Sequence, residues 1–241
     1  MTTTLQNQTV AILGGSSGIG LAVARSALAQ GARVWIAGRD QQRLAQAHET
    51  LPGAQARVVD VTDENSLAQF FAEIGSLDHL VVTAGAVLDA TPLRTLDPAA
   101  TQDAIASKLM GSLLAAKHAA PHLRAGGSIG FTSGVLARKI GVNTVLKTVI
   151  NAGLEAAVRL LARELAPLRV YGVSPGPVDT PNWAAMDETA RRAMFDKLPG
   201  TLPVGFVASA EDTAAAYLFA MQARALTGTV IDVDSGALVA A

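Results

Sequence analysis

Gly14-Gly-Ser-Ser-Gly18-Ile-Gly20 follows a short apolar run, Val10-Ala-Ile-Leu13, and opens a stretch of helical period. Glycines at this Gly-x3-Gly-x-Gly spacing allow a tight turn at Gly14, backbone approach to a pyrophosphate at Gly18, and close packing of helix on strand at Gly20. The N–H groups that a first helical turn leaves without partners then face the phosphates, with Ser16, Ser17 and Ile19 in the same turn. An ordinary glycine turn is the competing reading; the complete strand-turn-helix frame favours nucleotide binding. The second apolar run ends Ala37-Gly38-Arg39-Asp40. A carboxylate directly at that strand end would grip a ribose 2′-hydroxyl and repel a 2′-phosphate. Gly38 stands there instead, and the donor fork of Arg39 suits the phosphate, which predicts NADP(H) over NAD(H). The alternative for Arg39 is a solvated surface side chain. Asp60, just before Val61 at the end of the third strand, either accepts from an adenine amino group or caps the turn at Thr62-Asp-Glu. Both residues are counted on the cofactor side.

The elements that position these groups alternate along the chain. Strands are expected at 10–13, 33–37, 57–61, 79–83, 128–132, 168–173 and 229–233, mostly as continuous β-branched runs suited to burial on both faces. Between them lie helical patterns. Ile19, Ala22, Val23 and Ala27 share one face of the first, and Asp63-Glu64 opens the third, at 64–74, with acidic groups at its positive end. Repeated strand-helix-strand units predict an α/β, Rossmann-type, doubly wound sheet of seven mostly parallel strands, helices on both faces, in a single domain spanning 1–241. The long Ala- and Leu-rich patterns at 99–124 and 144–165 pack on the sheet, form a dimer face, or do both. Residues 176–208 make an irregular excursion with prolines at 177, 181, 199 and 203, and Pro175 just before it; a lid or substrate loop is expected there. Its Trp183, Met186, Met194 and Phe195 either line an apolar substrate pocket or form a small core of their own.

Composition bounds the function. The chain has 241 residues with 19 Lys+Arg against 20 Asp+Glu, a net charge of −1, which excludes general-charge binding to nucleic acid and a polybasic membrane anchor. With 4% aromatic residues, large stacking platforms for bases are not expected either. Cysteine is absent, which removes disulfides, thiolate metal sites and cysteine nucleophiles together. No apolar run is long enough to span a membrane, and Met1-Thr-Thr-Thr-Leu-Gln-Asn-Gln lacks the layout of a signal peptide, so a cytoplasmic domain is expected. His118 and His122 sit four apart, a possible metal pair without an evident third ligand.

Taken together, these motifs resemble the short-chain dehydrogenase/reductase family over nearly the whole chain. Leu13-Gly-Gly-Ser-Ser-Gly-Ile-Gly20 is similar to the family's TGxxxGxG turn, with Leu13 for Thr. Val82-Thr-Ala-Gly85 is similar to its NNAG segment, keeping Ala84 and Gly85. Ser174-Pro-Gly-Pro-Val-Asp-Thr180 resembles the PGxxxT stretch that holds the nicotinamide amide, which implies cofactor contacts for Pro175, Gly176, Val178 and Thr180. Leu226–Gly236 looks like the last strand and its glycine turn. The resemblance implies a nicotinamide cofactor, a small-molecule substrate, and homodimers or homotetramers built on the two long helices.

The catalytic positions depart from the family pattern of Ser, YxxxK and a helix Asn. Ser133 fits the Ser after the fifth strand, but Lys147 stands where Tyr is expected, Asn151 where Lys is expected, and Lys108 at the helix Asn. Lys147 and Asn151, four apart, share a helix face. Lys147 as an ammonium can protonate a developing alkoxide in carbonyl reduction; Ser133 can hold the substrate oxygen, and Asn151 can bond to ribose hydroxyls. Hydride transfer between nicotinamide and a carbonyl or alcohol carbon, or an imine, is the leading expectation. Two others stand beside it: an inactive NADP(H)-binding sensor or partner-binding protein, and a pair of lysines that binds a substrate carboxylate.

Overall fold

A computed structural model describes residues 4–85, 90–184 and 186–240. Residues 1–3 of the amino-terminal stretch, Ala185 of the excursion and Ala241 lie outside the described residues. The described strands are β1 (Thr9–Leu13), β2 (Arg33–Gly38), β3 (Gln55–Val58), β4 (Leu77–Val82), β5 (Leu123–Thr132), β6 (Arg169–Pro175) and β7 (Thr229–Val233). They form one sheet in the order β3-β2-β1-β4-β5-β6-β7, and every described pairing is parallel. The order reverses beside β1, so the crevice at the carboxyl ends of β1 and β4 is the topological switch point where such sheets take ligands.

Every residue of β1 is buried. Its alternating side chains feed two cores. Val10 and Ile12 meet helices α1 (Gly18–Ala29) and α8 (Ala210–Gln222) through Ala22, Val23, Ala27, Tyr217 and Met221. Ala11 and Leu13 face the opposite core, with Phe70 and Phe71 of α3 (Glu64–Ile74). Helices on both faces explain why the central strands read as unbroken apolar runs.

The third strand departs from expectation. β3 covers Gln55–Val58 rather than 57–61, and it is an exposed edge. Its ladder with β2 (followed by α2, Gln41–Glu49) stops at Gly38, where Val59 N–H donates to the Gly38 carbonyl. The chain then turns, with Asp60 Oδ1 accepting from the N–H and the hydroxyl of Thr62 at 2.9 and 2.8 Å. Val59 and Val61 are buried beyond the ladder instead of pairing in it.

The long 99–124 pattern is helical but not uniform. It resolves into α4 (Pro98–Ala104), a wide π turn at Ile105–Met110, α5 (Gly111–Ala119) and a short 3-10 turn at Ala120–His122. Its partner, α6, runs Val145–Glu164. The excursion carries α7 (Glu188–Lys197), and there Trp183 and Phe195 meet edge to face at 5.7 Å. Trp183 Nε1 donates to the Val178 carbonyl at 2.9 Å, so this pair serves the segment's own packing.

Candidate functional site

The turn after β1 is pinned before any ligand arrives. Gly14 and Gly15 N–H groups donate to the Ala37 carbonyl at 2.8 and 3.1 Å, while Thr83 and Ala84 N–H groups donate to the Leu13 carbonyl at 2.8 and 3.0 Å. Gly14 sits at φ +89°, and a Cβ there would fall 2.5 Å from Thr83 Oγ1 and 2.6 Å from Ala84 N. A Cβ at Gly20 would drive into the Gly14 carbonyl and Thr83. Glycine is therefore required by the contact between turn, helix and β4.

The amino terminus of α1, like that of α6, carries no side-chain cap. Asp40, Asp63, Asp97, Asp187 and Ser209 cap α2, α3, α4, α7 and α8 with side-chain bonds. Ser17, at the start of α1, makes no such bond, and no acidic residue sits in the first turn. The helix thus presents its positive end and its N–H donors to the cavity.

That cavity has a volume of about 360 Å³. Gly14, Ser16, Ser17, Gly18, Ile19 and Gly20 line it along the turn. Arg39 lines it at the end of β2, joined by Arg43 from the first turn of α2. Val61, Ala84 and Gly85 close one side. Lys108, Ser133, Pro175 and Thr180 lie at the far end, with Ser107, Thr132 and Asn182, and Thr83 adjoins the turn at Gly14. Asp60, Lys147, Asn151, Gly176 and Val178 are not among the lining residues. One carboxylate oxygen of Asp60 is engaged by Thr62, the local turn role. Val178 is buried and Gly176 N–H donates to the Val233 carbonyl.

Behind the far end lies a connected set of polar groups. Lys108, on the π turn, donates from Nζ to Asn151 Oδ1 at 2.7 Å and to the Ser133 carbonyl at 3.4 Å. Burial, with the charge of Lys147 adding to it, pushes the Lys108 ammonium down to about 8. Ser133 Oγ donates to Glu155 Oε1 at 3.2 Å. Glu155, 7% exposed, also pairs through Oε2 with Arg138 Nε at 3.2 Å. Arg138 is fixed in turn by Asp232 of β7. The two tyrosines stay out of this chemistry. Tyr171 and Tyr217 are fully buried, and burial pushes both phenols upward; Tyr217 OH pairs with Thr132 Oγ1 at 2.6 Å.

The histidine pair at 118 and 122 makes protein contacts. His118 Nε2 meets Glu64 Oε1 at 2.9 Å and His122 Nδ1 meets the Gly75 carbonyl at 2.7 Å. Among the described residues, no group of three His, Asp or Glu side chains could hold a metal ion. No described helix is long and apolar enough to cross a membrane.

The model of the family described as enoyl-(acyl carrier protein) reductase matches residues 14–237. Short-chain dehydrogenase/reductase ATR9 of Stachybotrys chlorohalonatus is 33% identical over 254 residues, covering 98% of this chain and 99% of that one. The chain belongs to the short-chain dehydrogenase/reductase family. Cis-4-hydroxycyclohexanecarboxylate dehydrogenase of Sinomonas cyclohexanicum is 34% identical over 239 residues, with coverage of 93% and 94%. A crystal structure of a small-chain dehydrogenase in complex with NADPH superimposes with a TM-score of 0.86 at 39% identity, covering 97% of this chain and 100% of that one.

As a short-chain dehydrogenase/reductase, this chain carries groups that the sequence reading passed over. Arg43 stands four residues after Arg39, a spacing that could have placed two guanidiniums together. Glu155 stands four after Asn151 on α6, so both face the same way. Arg138 carries no comparable signal, since the chain fold alone brings it to Glu155.

Proposed function

We propose that residues 1–241 act as one NADP(H)-dependent oxidoreductase unit that moves a hydride between nicotinamide and a carbonyl or alcohol carbon of a small molecule. The observation that carries this reading is one cavity with two guanidiniums, Arg39 and Arg43, at one end and a half-buried lysine, Lys108, at the other. Between them runs the glycine turn and the uncapped start of α1. The residues present fit a 2′-phosphorylated dinucleotide: the N–H groups at the start of α1 have no side-chain cap, and no carboxylate stands at the end of β2 before Arg39. The NADPH-bound relative at 39% identity supports the same reading.

When bound, the reduced nicotinamide supplies the hydride. The protein's own groups do the rest. N–H donors of the turn and of α1 receive the pyrophosphate, and Arg39 with Arg43 neutralises the 2′-phosphate. Pro175 and Thr180 border the far end, where the carbonyl would sit near Lys108 and Ser133. A lysine ammonium there leans the site towards reduction and tolerates a substrate carboxylate. A cytoplasmic location and a homodimer or homotetramer complete the proposal. Exposed Met110, Val149 and Leu160, on the π turn and α6, offer the apolar face for such an assembly, and sedimentation of Leu160→Glu tests it by loss of the oligomer.

Fluorescence titration with NADPH and NADH, followed by absorbance decay against a panel of ketones and aldehydes, tests the function. Preferential NADPH binding and turnover of a panel member are expected. Failure to bind either dinucleotide would overturn the reading.

A further inference from the structure

We propose that Lys108, held by Asn151, is the residue that delivers the proton to the substrate oxygen, in place of Lys147. This rests on the reductase reading above and assigns the proton-transfer step within that site.

Four of the hydroxyl groups on the cavity wall already give their proton to an acceptor within the protein. Thr83 donates to the Leu13 carbonyl at 3.1 Å, and Ser107 to the Ala104 carbonyl at 3.3 Å. Thr132 donates to the Val82 carbonyl at 2.8 Å, and Ser133 to Glu155 at 3.2 Å. A hydroxyl has one proton to give. Each of these four therefore meets a ligand as an acceptor. Ser133 can orient a substrate, but its proton is already held by a buried carboxylate.

Lys108 is different. An ammonium carries three N–H donors, and the bonds described here engage two acceptors, Asn151 Oδ1 and the Ser133 carbonyl. The third donor serves an acceptor in the cavity that Lys108 lines. The side chain is held in place along its length. A Cβ at Gly85 would fall 2.9 Å from Lys108 Cγ, and one at Gly134 would fall 3.1 Å from Asn151 Nδ2, so both bare positions make room for the pair. The π turn at Ile105–Met110 sets the register of Lys108, and such turns recur where a helix must aim a functional side chain. Lys147 lies one helical turn before Asn151 and does not line the cavity.

The step balances. The carbonyl carbon accepts a hydride supplied by reduced nicotinamide dinucleotide. The π electron pair moves to oxygen, and the new O–H bond forms as an Nζ–H bond of Lys108 breaks. The resulting neutral amine regains its proton from water. Among the described residues, the charge that acts on Lys108 is that of Lys147 on α6; Glu155 and Arg138 lie behind Ser133 and pair with each other. Burial and the like charge of Lys147 both favour release of that proton, at a pH near 8.

The experiment uses lysine side-chain NMR on the whole protein, together with turnover and NADPH binding. One lysine resonance should titrate near pH 8 without any substrate present. In Lys147→Met that resonance should persist and move to higher pH; in Lys108→Met it should vanish. Lys108→Met should bind NADPH and lose about 100-fold or more in kcat. Should that variant fail to fold, the wild-type and Lys147→Met titrations decide the matter. A protein in which no lysine titrates below about pH 9, or in which Lys147→Met removes the shifted resonance, overturns the assignment. So does turnover that survives Lys108→Met. Failure of the wild type to bind any dinucleotide would instead strike the reductase reading, and is separate from the titration.

Discussion

The hydroxyl of Ser133 gives its proton to the carboxylate of Glu155, 3.2 Å away, and that carboxylate is held on its other oxygen by Arg138. The bond ties the loop after β5 to the middle of α6 in a buried setting. Glu155→Leu should lower stability by about 2 kcal/mol, because Ser133 and Arg138 lose a charged acceptor. Arg138 keeps Asp232 and is partly exposed, so the loss falls short of that for a fully buried broken pair. Glu155→Gln, which still accepts from Ser133, should lose less. Urea unfolding of the two variants checks the order; equal loss, or none, would show that the carboxylate does not hold this junction.

Cofactor choice should follow the two guanidiniums at the end of β2. Both line the cavity, and Asp40 is occupied as the cap of α2 through the Arg43 N–H at 2.9 Å. Arg39→Ala should weaken NADPH binding roughly 10- to 100-fold, the loss of charge-assisted bonds to a phosphate. NADH affinity should stay within about threefold, since that ligand lacks the 2′-phosphate. Parallel titrations measure the ratio. A matching fall for both dinucleotides would mean that Arg39 does not read the 2′ position.

The glycine turn yields a test with an internal comparison. Gly14 and Gly53 both take strongly positive φ, +89° and +92°. A Cβ at Gly53 meets nothing within 4 Å, whereas one at Gly14 collides with the backbone of Ala84. Gly53→Ala should cost about 1 kcal/mol, from backbone strain alone. Gly14→Ala should cost more and should also abolish dinucleotide binding. Thermal unfolding and fluorescence titration of the two variants separate strain from contact.

These results also show which parts of the molecule local sequence can specify. The turn at Gly14–Gly20 was legible because its glycines, strand and helix lie within one continuous segment. The parallel sheet was legible because burial on both faces leaves a continuous apolar run, as in β1. The end of β3 was not: Val59 and Val61 are apolar because they fill space beside the cavity, and apolarity alone does not separate that from a ladder. The Lys108–Asn151 bond joins residues 43 positions apart and depends on a π turn that no periodicity announces. Lys147 is the more visible lysine in sequence, since it shares a helix face with Asn151. Which lysine reaches the cavity is set by how that helix packs against the π turn.

The stability of the sheet should carry a histidine signature in mild acid. His79 of β4 is 3% exposed, with Nδ1 2.7 Å from Ser128 Oγ and Nε2 2.8 Å from Gln8 Oε1. A neutral ring satisfies both, accepting from Ser128 and donating to Gln8. Burial, aided by the charge of Arg169 and opposed by that of Asp78, lowers the imidazole to about 4. The unfolded chain protonates this group near its ordinary value of 6.5, so between those two values it binds more protons than the folded protein. Stability should therefore fall as pH drops from 6.5 towards 4, by roughly 3 kcal/mol from this residue. His79→Asn removes the titration, so its stability, whatever its level at neutral pH, should depend less on pH across that window. Urea unfolding of both proteins at several pH values measures the two slopes. If the slopes coincide, the acid sensitivity arises elsewhere and His79 is not held neutral by its setting.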